Sequence, residues 1–210
     1  MTPTKRESTG PGYDKRTSKI LRSAASIIRR KGFSATRIDD IAESVGLTKA
    51  GLYHYIPKKA LLLSAIMEHA IELLDVEVLL PSVAETDPEK RLRHLLQSCA
   101  YMFLRERDLM LVLFDEFGQL KPEEQRRFLP RQKEFLELLR TTLEELREEG
   151  KLRDLEIQVA VFNLLAPVLW LPRWYKRRRS LSRETVISET VRLGLLSVLE
   201  NPDLEAFQTS

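Results

Sequence analysis

Between positions 62 and 74 apolar residues recur at 62, 63, 66, 67, 70, 71 and 74. Steps of three and four bring side chains onto one face only at 3.6 residues per turn, so this stretch must bury a wide stripe as an α-helix. The same rhythm recurs along most of the chain. Strand-like runs of Val, Ile and Thr between turn signals are absent, and glycine is scarce, at 8 of 210 residues. The expectation is an all-α protein of about nine helices.

Helix punctuation sets the expected boundaries. The first helix runs over 14–31 and stops at Gly32. Thr36 and Asp39 have the form of a capping box for a short second helix that ends near Ser44. Gly46 supplies a turn, Thr48 caps a third helix, and Pro57 ends it because its ring disfavours helical geometry at Ile56. A long helix follows from Lys58 to about Leu80, stopped by Pro81. Further helices are expected at 88–105, 107–117, 122–149, 154–173 and 182–199. Residues 1–13, polar and carrying Gly10, Pro11 and Gly12, read as a disordered tail.

Composition narrows the function classes. A lone cysteine, Cys99, excludes a disulfide framework and a cysteine-rich zinc site. The N-terminus has no apolar core of the signal-peptide kind. The apolar run 159–171 is too short to span a membrane and reads as a buried helix, so the expected location is the cytoplasm, with no membrane partner. Residues 1–60 hold 13 Lys/Arg against 5 Asp/Glu, and the remaining 150 hold 21 against 26. A basic front on an acidic body suits a polyanion at the front alone.

Residues 37–55 are two short helices joined by a tight turn, with Ala42 and Gly46 small where the helices approach. Ile38, Ile41, Val45, Leu47 and Leu52 provide the apolar contacts between them. This is the pattern of a helix-turn-helix, whose second helix enters the DNA major groove by its N-terminal end. Its outward positions Thr48, Lys49, Tyr53 and His54 can all donate hydrogen bonds. Lys58 and Lys59 open the next helix, where backbone N–H groups already favour a phosphate.

The stretch "GFSATRIDDIAESVGLTKAGLYHYIPKKALLLSAI" resembles the N-terminal DNA-binding domain of the TetR family of bacterial transcription regulators, over about residues 14–65. Ile56 departs from the usual Phe, and Gly51 from the usual Thr, Ser or Ala. The resemblance implies a helix-turn-helix domain over 14–57 and an effector-binding and dimerisation domain over 58–210. It implies that Lys49, Ala50 and Gly51 face base edges, with Lys49 donating to guanine and Ala50 touching a thymine methyl. Thr48, Tyr53, His54 and Lys59 would meet phosphates, and Arg37 is a further phosphate candidate. Tyr55 has two readings, a phosphate contact or packing beneath the helix.

The body carries no phosphate loop, nucleophile elbow, HExxH or Glu-x-x-His pattern, so no catalytic residue, metal or cofactor is expected. His69 and His94 read as helix histidines. The family implies a homodimer through about 154–173 and 182–199. The first of these segments is apolar nearly all round, and the second carries Ile187, Val191, Gly194, Leu195 and Val198 on one stripe. The family also implies a small-molecule effector. Pro167 frees the Asn163 carbonyl within a greasy segment, and Asn163 with Cys99, Phe103, Phe114, Phe117, Phe162 and Trp170 is the candidate pocket. The segment "WLPRWYKRRRSLSRE", 170–184, resembles a TetR subgroup that responds to acyl-CoA or other CoA thioesters, and the basic run 176–179 is positioned to meet CoA phosphates. Together these features describe a ligand-responsive repressor on a palindromic operator. An architectural DNA-binding protein without effector and a helical enzyme are the competing readings.

Overall fold

Asp14 opens the first helix, α1 (Lys15–Lys31), by accepting the Thr17 N–H at 2.7 Å. Gly32 closes it at φ 80°, a left-handed conformation that favours glycine, and sends its N–H back to Ile28. The computed structural model describes residues 14–175 and 181–204, and among these every regular element is helical apart from one bridge between Leu152 and Leu199. The expected tail 1–13 and the basic run 176–179 lie outside the described residues.

Two short helices follow, α2 (Ile38–Ser44) and α3 (Lys49–Tyr53). The cap of α2 sits one residue later than expected. The Thr36 hydroxyl is buried and donates to the Gly32 carbonyl at 2.8 Å, so it is taken by the preceding turn. The Arg37 N–H donates to Asp40 at 3.0 Å in its place. Thr48 caps α3 as expected, accepting the Gly51 N–H at 3.0 Å.

Pro81 does not stop the long helix. After α4 (Lys59–Leu74) the chain widens into a π-helical segment (Asp75–Leu79) and continues as α5 (Leu80–Ala84). The Leu80 N–H reaches back to Asp75, one residue further than in an α-helix. That shift restarts the register, so Pro81 falls in a first turn, where its missing N–H costs nothing.

The body comprises α6 (Pro88–Arg105), α7 (Arg107–Glu116), a 3-10 turn (Phe117–Gln119), α8 (Pro122–Glu148), α9 (Ile157–Trp174) and α10 (Arg183–Val198). The central helix is α6, which packs on α8, α9, α10 and the π segment, while α1 packs on α7 and α4. One contiguous apolar cluster runs from Ile20 to Leu199, so the core is not broken at the expected division at 57/58. Pro130 and Pro167 lie inside α8 and α9 on solvent faces, where the carbonyls they orphan can turn to water.

By length and composition α9 could cross a membrane. Packing accounts for the apolarity of one face: Ile157, Ala160, Val161, Leu164, Leu165, Val168 and Leu171 are buried against its neighbours. The expected α10 stripe is likewise consumed within the chain. Ile187, Val191, Leu195 and Val198 are buried, and a Cβ on Gly194 would stand 3.3 Å from Leu164 and 3.5 Å from Leu96.

Candidate nucleic-acid interface

The sequence of α3 divides cleanly between core and solvent. Leu52 and, just beyond the helix, Ile56 are fully buried, which fixes α3 on the domain. Lys49, Ala50, Tyr53 and His54 are exposed, as is the capping Thr48, and Gly51 is half-buried. A Cβ on Gly51 would come to 3.3 Å from the Thr48 hydroxyl, so glycine here relieves crowding at the cap as well as leaving the backbone open.

Two cations of this surface are already engaged. Lys49 Nζ donates to Asp39 of α2 at 3.0 Å, and this hydrogen bond, reinforced by the carboxylate's charge, holds the ammonium above the usual lysine range. Lys59 Nζ donates to the Ser34 carbonyl at 2.9 Å and stands 5.2 Å from the centre of the Phe33 ring, so its charge sits over the turn between α1 and α2. Arg37 is exposed at the start of α2. Tyr55 is half-buried against the core, with the Arg16 guanidinium 6.0 Å from its ring centre; packing is the reading the geometry favours.

The candidate effector residues do not line one cavity. Cys99 and Phe103 are buried on α6, and burial pushes the Cys99 thiol up out of reactive range. Phe103 meets Phe114 of α7 edge-on at 5.8 Å, and Phe117 meets Phe128 of α8 at 6.3 Å. Phe162, Asn163 and Trp170 lie on the opposite, outer face of α9, because its inward positions are taken by the buried set above. The Asn163 amide donates to the Val159 carbonyl at 3.0 Å and is no handle inside a pocket. Arg173 connects the two groups, with its guanidinium 5.7 Å from the Phe114 ring and 5.0 Å from the Trp170 ring. An open groove of about 370 Å³ between α8 and α9, with Leu136, Lys133, Arg140 and Val161 among its walls, was not anticipated.

Two further side chains escaped the sequence reading. Glu106 and Asp115 stand at opposite ends of α7, and each takes an arginine from α1: Arg22 at 2.8 and 3.0 Å, and Arg29 at 2.7 Å. Glu106 also accepts from Arg105 at 3.1 Å, and Asp115 also pairs with Arg173 of α9. The signal was there, since "LRERDLMLVLFDEF" sets acids at both ends of an apolar helix.

The sequence and fold agree with known proteins. Residues 20–66 match the profile of bacterial regulatory proteins of the tetR family, and residues 85–198 match the tetracyclin repressor-like C-terminal domain. The chain belongs to the TetR family. This TetR-family transcriptional regulator is 25% identical over 198 residues to the HTH-type transcriptional repressor KstR2 of Rhodococcus jostii (strain RHA1), across 93% of this chain and 96% of that one. The structure of AibR in complex with isovaleryl coenzyme A and operator DNA superposes with a TM-score of 0.75 at 28% identity, covering 85% of this chain and 97% of AibR. The ketosteroid transcriptional regulator KstR2 of Mycobacterium tuberculosis superposes at 0.80 with 20% identity, over 90% and 97% of the two chains, a likeness of fold. His69, buried in α4, and His94, hydrogen-bonded to Ser82 at 2.8 Å, both sit among helix neighbours.

Proposed function

We propose that this regulator is a homodimeric repressor that binds a palindromic operator and is released by a CoA thioester. The observation that carries the DNA half is the division of α3: Leu52 and Ile56 anchor it while Thr48, Lys49, Ala50, Tyr53 and His54 face outward. A short helix so presented can enter a major groove by its N-terminal end, with Lys49 aimed at base edges and Tyr53, His54, Lys59 and Arg37 near phosphates. Two-fold pairing would set two such helices about 34 Å apart, one turn of DNA. Support for pairing comes from the outer face of α9, where Val159, Phe162 and Trp170 are more than half exposed. Support for the effector class comes from AibR, whose structure holds isovaleryl coenzyme A.

Selection from a random duplex pool tests the reading. The wild-type protein is expected to enrich an inverted repeat, and Lys49→Ala to lose preference at one base pair of each half-site. Lys59→Ala is expected to weaken binding to every duplex and to flatten its salt dependence by about one unit of slope. Equal losses on selected and scrambled DNA for Lys49→Ala would remove the base-reading role. Isovaleryl-CoA is expected to raise the unfolding temperature and lower affinity for the selected duplex, since a ligand of the native state must stabilise it. No change in either would return the architectural reading.

A further inference from the structure

The two adjacent acids at the start of α2 behave differently. Asp40 is accounted for by the fold. It accepts the Arg37 N–H at 3.0 Å and pairs with Lys31 at 3.0 Å, and the backbone hydrogen bond followed by the lysine holds its carboxyl below the usual range. Asp39 takes neither of these contacts. Its Oδ2 reaches across the helix-turn-helix to Lys49 Nζ at 3.0 Å, with the Asp39 and Lys49 side chains 62% and 55% exposed. A negative charge there is costly for a surface that meets a polyanion, because it opposes every phosphate within a Debye length of about 8–10 Å. The stability of the fold accounts for it only in part, since an acid in the first turn of α2 and an exposed ion pair each contribute little.

We propose that Asp39 is a positioning residue that sets sequence selectivity, by holding the Lys49 ammonium at the N-terminal end of α3 and off the nearest phosphate. The inference rests on Lys49 facing base edges. A lysine is a point charge on a flexible four-carbon stem, and left free it settles on phosphates, which carry no sequence information. Held by Asp39, it gains little by exchanging a carboxylate for one phosphate oxygen. It gains more from the paired O6 and N7 acceptors of a guanine. The carboxylate therefore weakens non-specific binding more than specific binding, and it is the ratio of the two that finds an operator among competing sites.

The experiment uses the full-length protein in four forms: wild type, Asp39→Asn, Asp39→Glu and Lys49→Ala. Each is put through selection from a random duplex pool, then titrated against the selected duplex and a scrambled one between 50 and 200 mM salt. Asp39→Asn is expected to bind the scrambled duplex about three- to tenfold tighter, with a salt slope steeper by about one as the freed lysine takes a phosphate. Its selected motif should lose the same base pair that Lys49→Ala loses, and Asp39→Glu should keep it. The proposal is overturned if Asp39→Asn retains the full motif while Lys49→Ala does not, or if it tightens on both duplexes by the same factor. If Lys49→Ala itself keeps the motif, the base-reading role falls and the inference falls with it. Thermal unfolding of each variant identifies any that fails to fold, and Asp39→Glu then carries the comparison: a lost motif in that variant also overturns the proposal.

Discussion

A lysine in place of Phe162 is expected to turn the proposed dimer into monomers that no longer hold an operator-length duplex. Phe162 is 54% exposed on the outer face of α9, between Val159 and Trp170, each 58% exposed. The opposite face of the helix is packed into the body, so the substitution leaves the monomer core alone. Across a two-fold axis the same patch meets itself, and each change enters the interface twice. Losing an anchoring aromatic costs about 2 kcal/mol or more at an interface, so two cost about 4, roughly three powers of ten in the dimer dissociation constant. Phe162 is the better choice than Trp170, because Trp170 also stacks on Arg173. Sedimentation velocity over a concentration series reads the assembly state, and titration of the selected duplex reads the consequence. An unchanged dimer would show that this face meets something other than a second copy.

How far such features were legible in the sequence depends on how local their causes are. The division of α3 needs only the spacing of Leu52 and Ile56 against Lys49, Tyr53 and His54, and the structure reproduces it. The start at Thr48 is likewise local, a side chain accepting an N–H three residues on. Thr36 misled because its buried hydroxyl turns back to donate to the Gly32 carbonyl instead of accepting an N–H of α2. Pro81 misled because a π segment can reset the register without any proline-tolerant signal in the sequence. α9 is apolar on nearly every side and its few polar residues mark the inner face only weakly, so Phe162, Asn163 and Trp170 could be assigned to a pocket as readily as to an outer face. The stripe on α10 is legible from its spacing, but whether it meets α9 or a second chain is a question of tertiary geometry; Gly194 lies against Leu164 and Leu96 of the same chain. The Asp39–Lys49 pair spans ten residues and depends on the crossing of α2 and α3.

Glu106→Gln is expected to loosen α1 from the body, and to do so only where the carboxyl would be ionised. Glu106 is buried and accepts three hydrogen bonds, two from Arg22 and one from Arg105, and Arg105 in turn reaches Glu77 of the π segment. Burial pushes its carboxyl up, but the hydrogen bonds and charges of Arg22 and then Arg105 outweigh this and hold it below the ordinary glutamate value of 4.5. A group whose folded value is depressed contributes stability above its unfolded value and loses it as pH falls through the folded one. At neutral pH the amide should therefore cost about 2 kcal/mol, the scale of hydrogen bonds to a charged group, or about 4–8 °C in unfolding temperature for a chain of this length. The gap between the two proteins should narrow as pH drops below 4.5, since the wild type then loses the ionised carboxylate as well. His69 lies in the field of Arg22 and Glu106 and is held below its usual value, first by burial and then by Arg22. Its protonation weakens both proteins on the acid side, and the variant more, because Glu106 is one of the charges that favour protonated His69. Because Arg22 and Arg29 stand two turns apart on α1, and Glu106 and Asp115 receive them at the two ends of α7, amide exchange in α1 should speed up in the variant near Arg22 more than near Arg29. A gap that stayed the same from pH 7 to pH 3.5 would mean that the charge of Glu106 is not what it contributes.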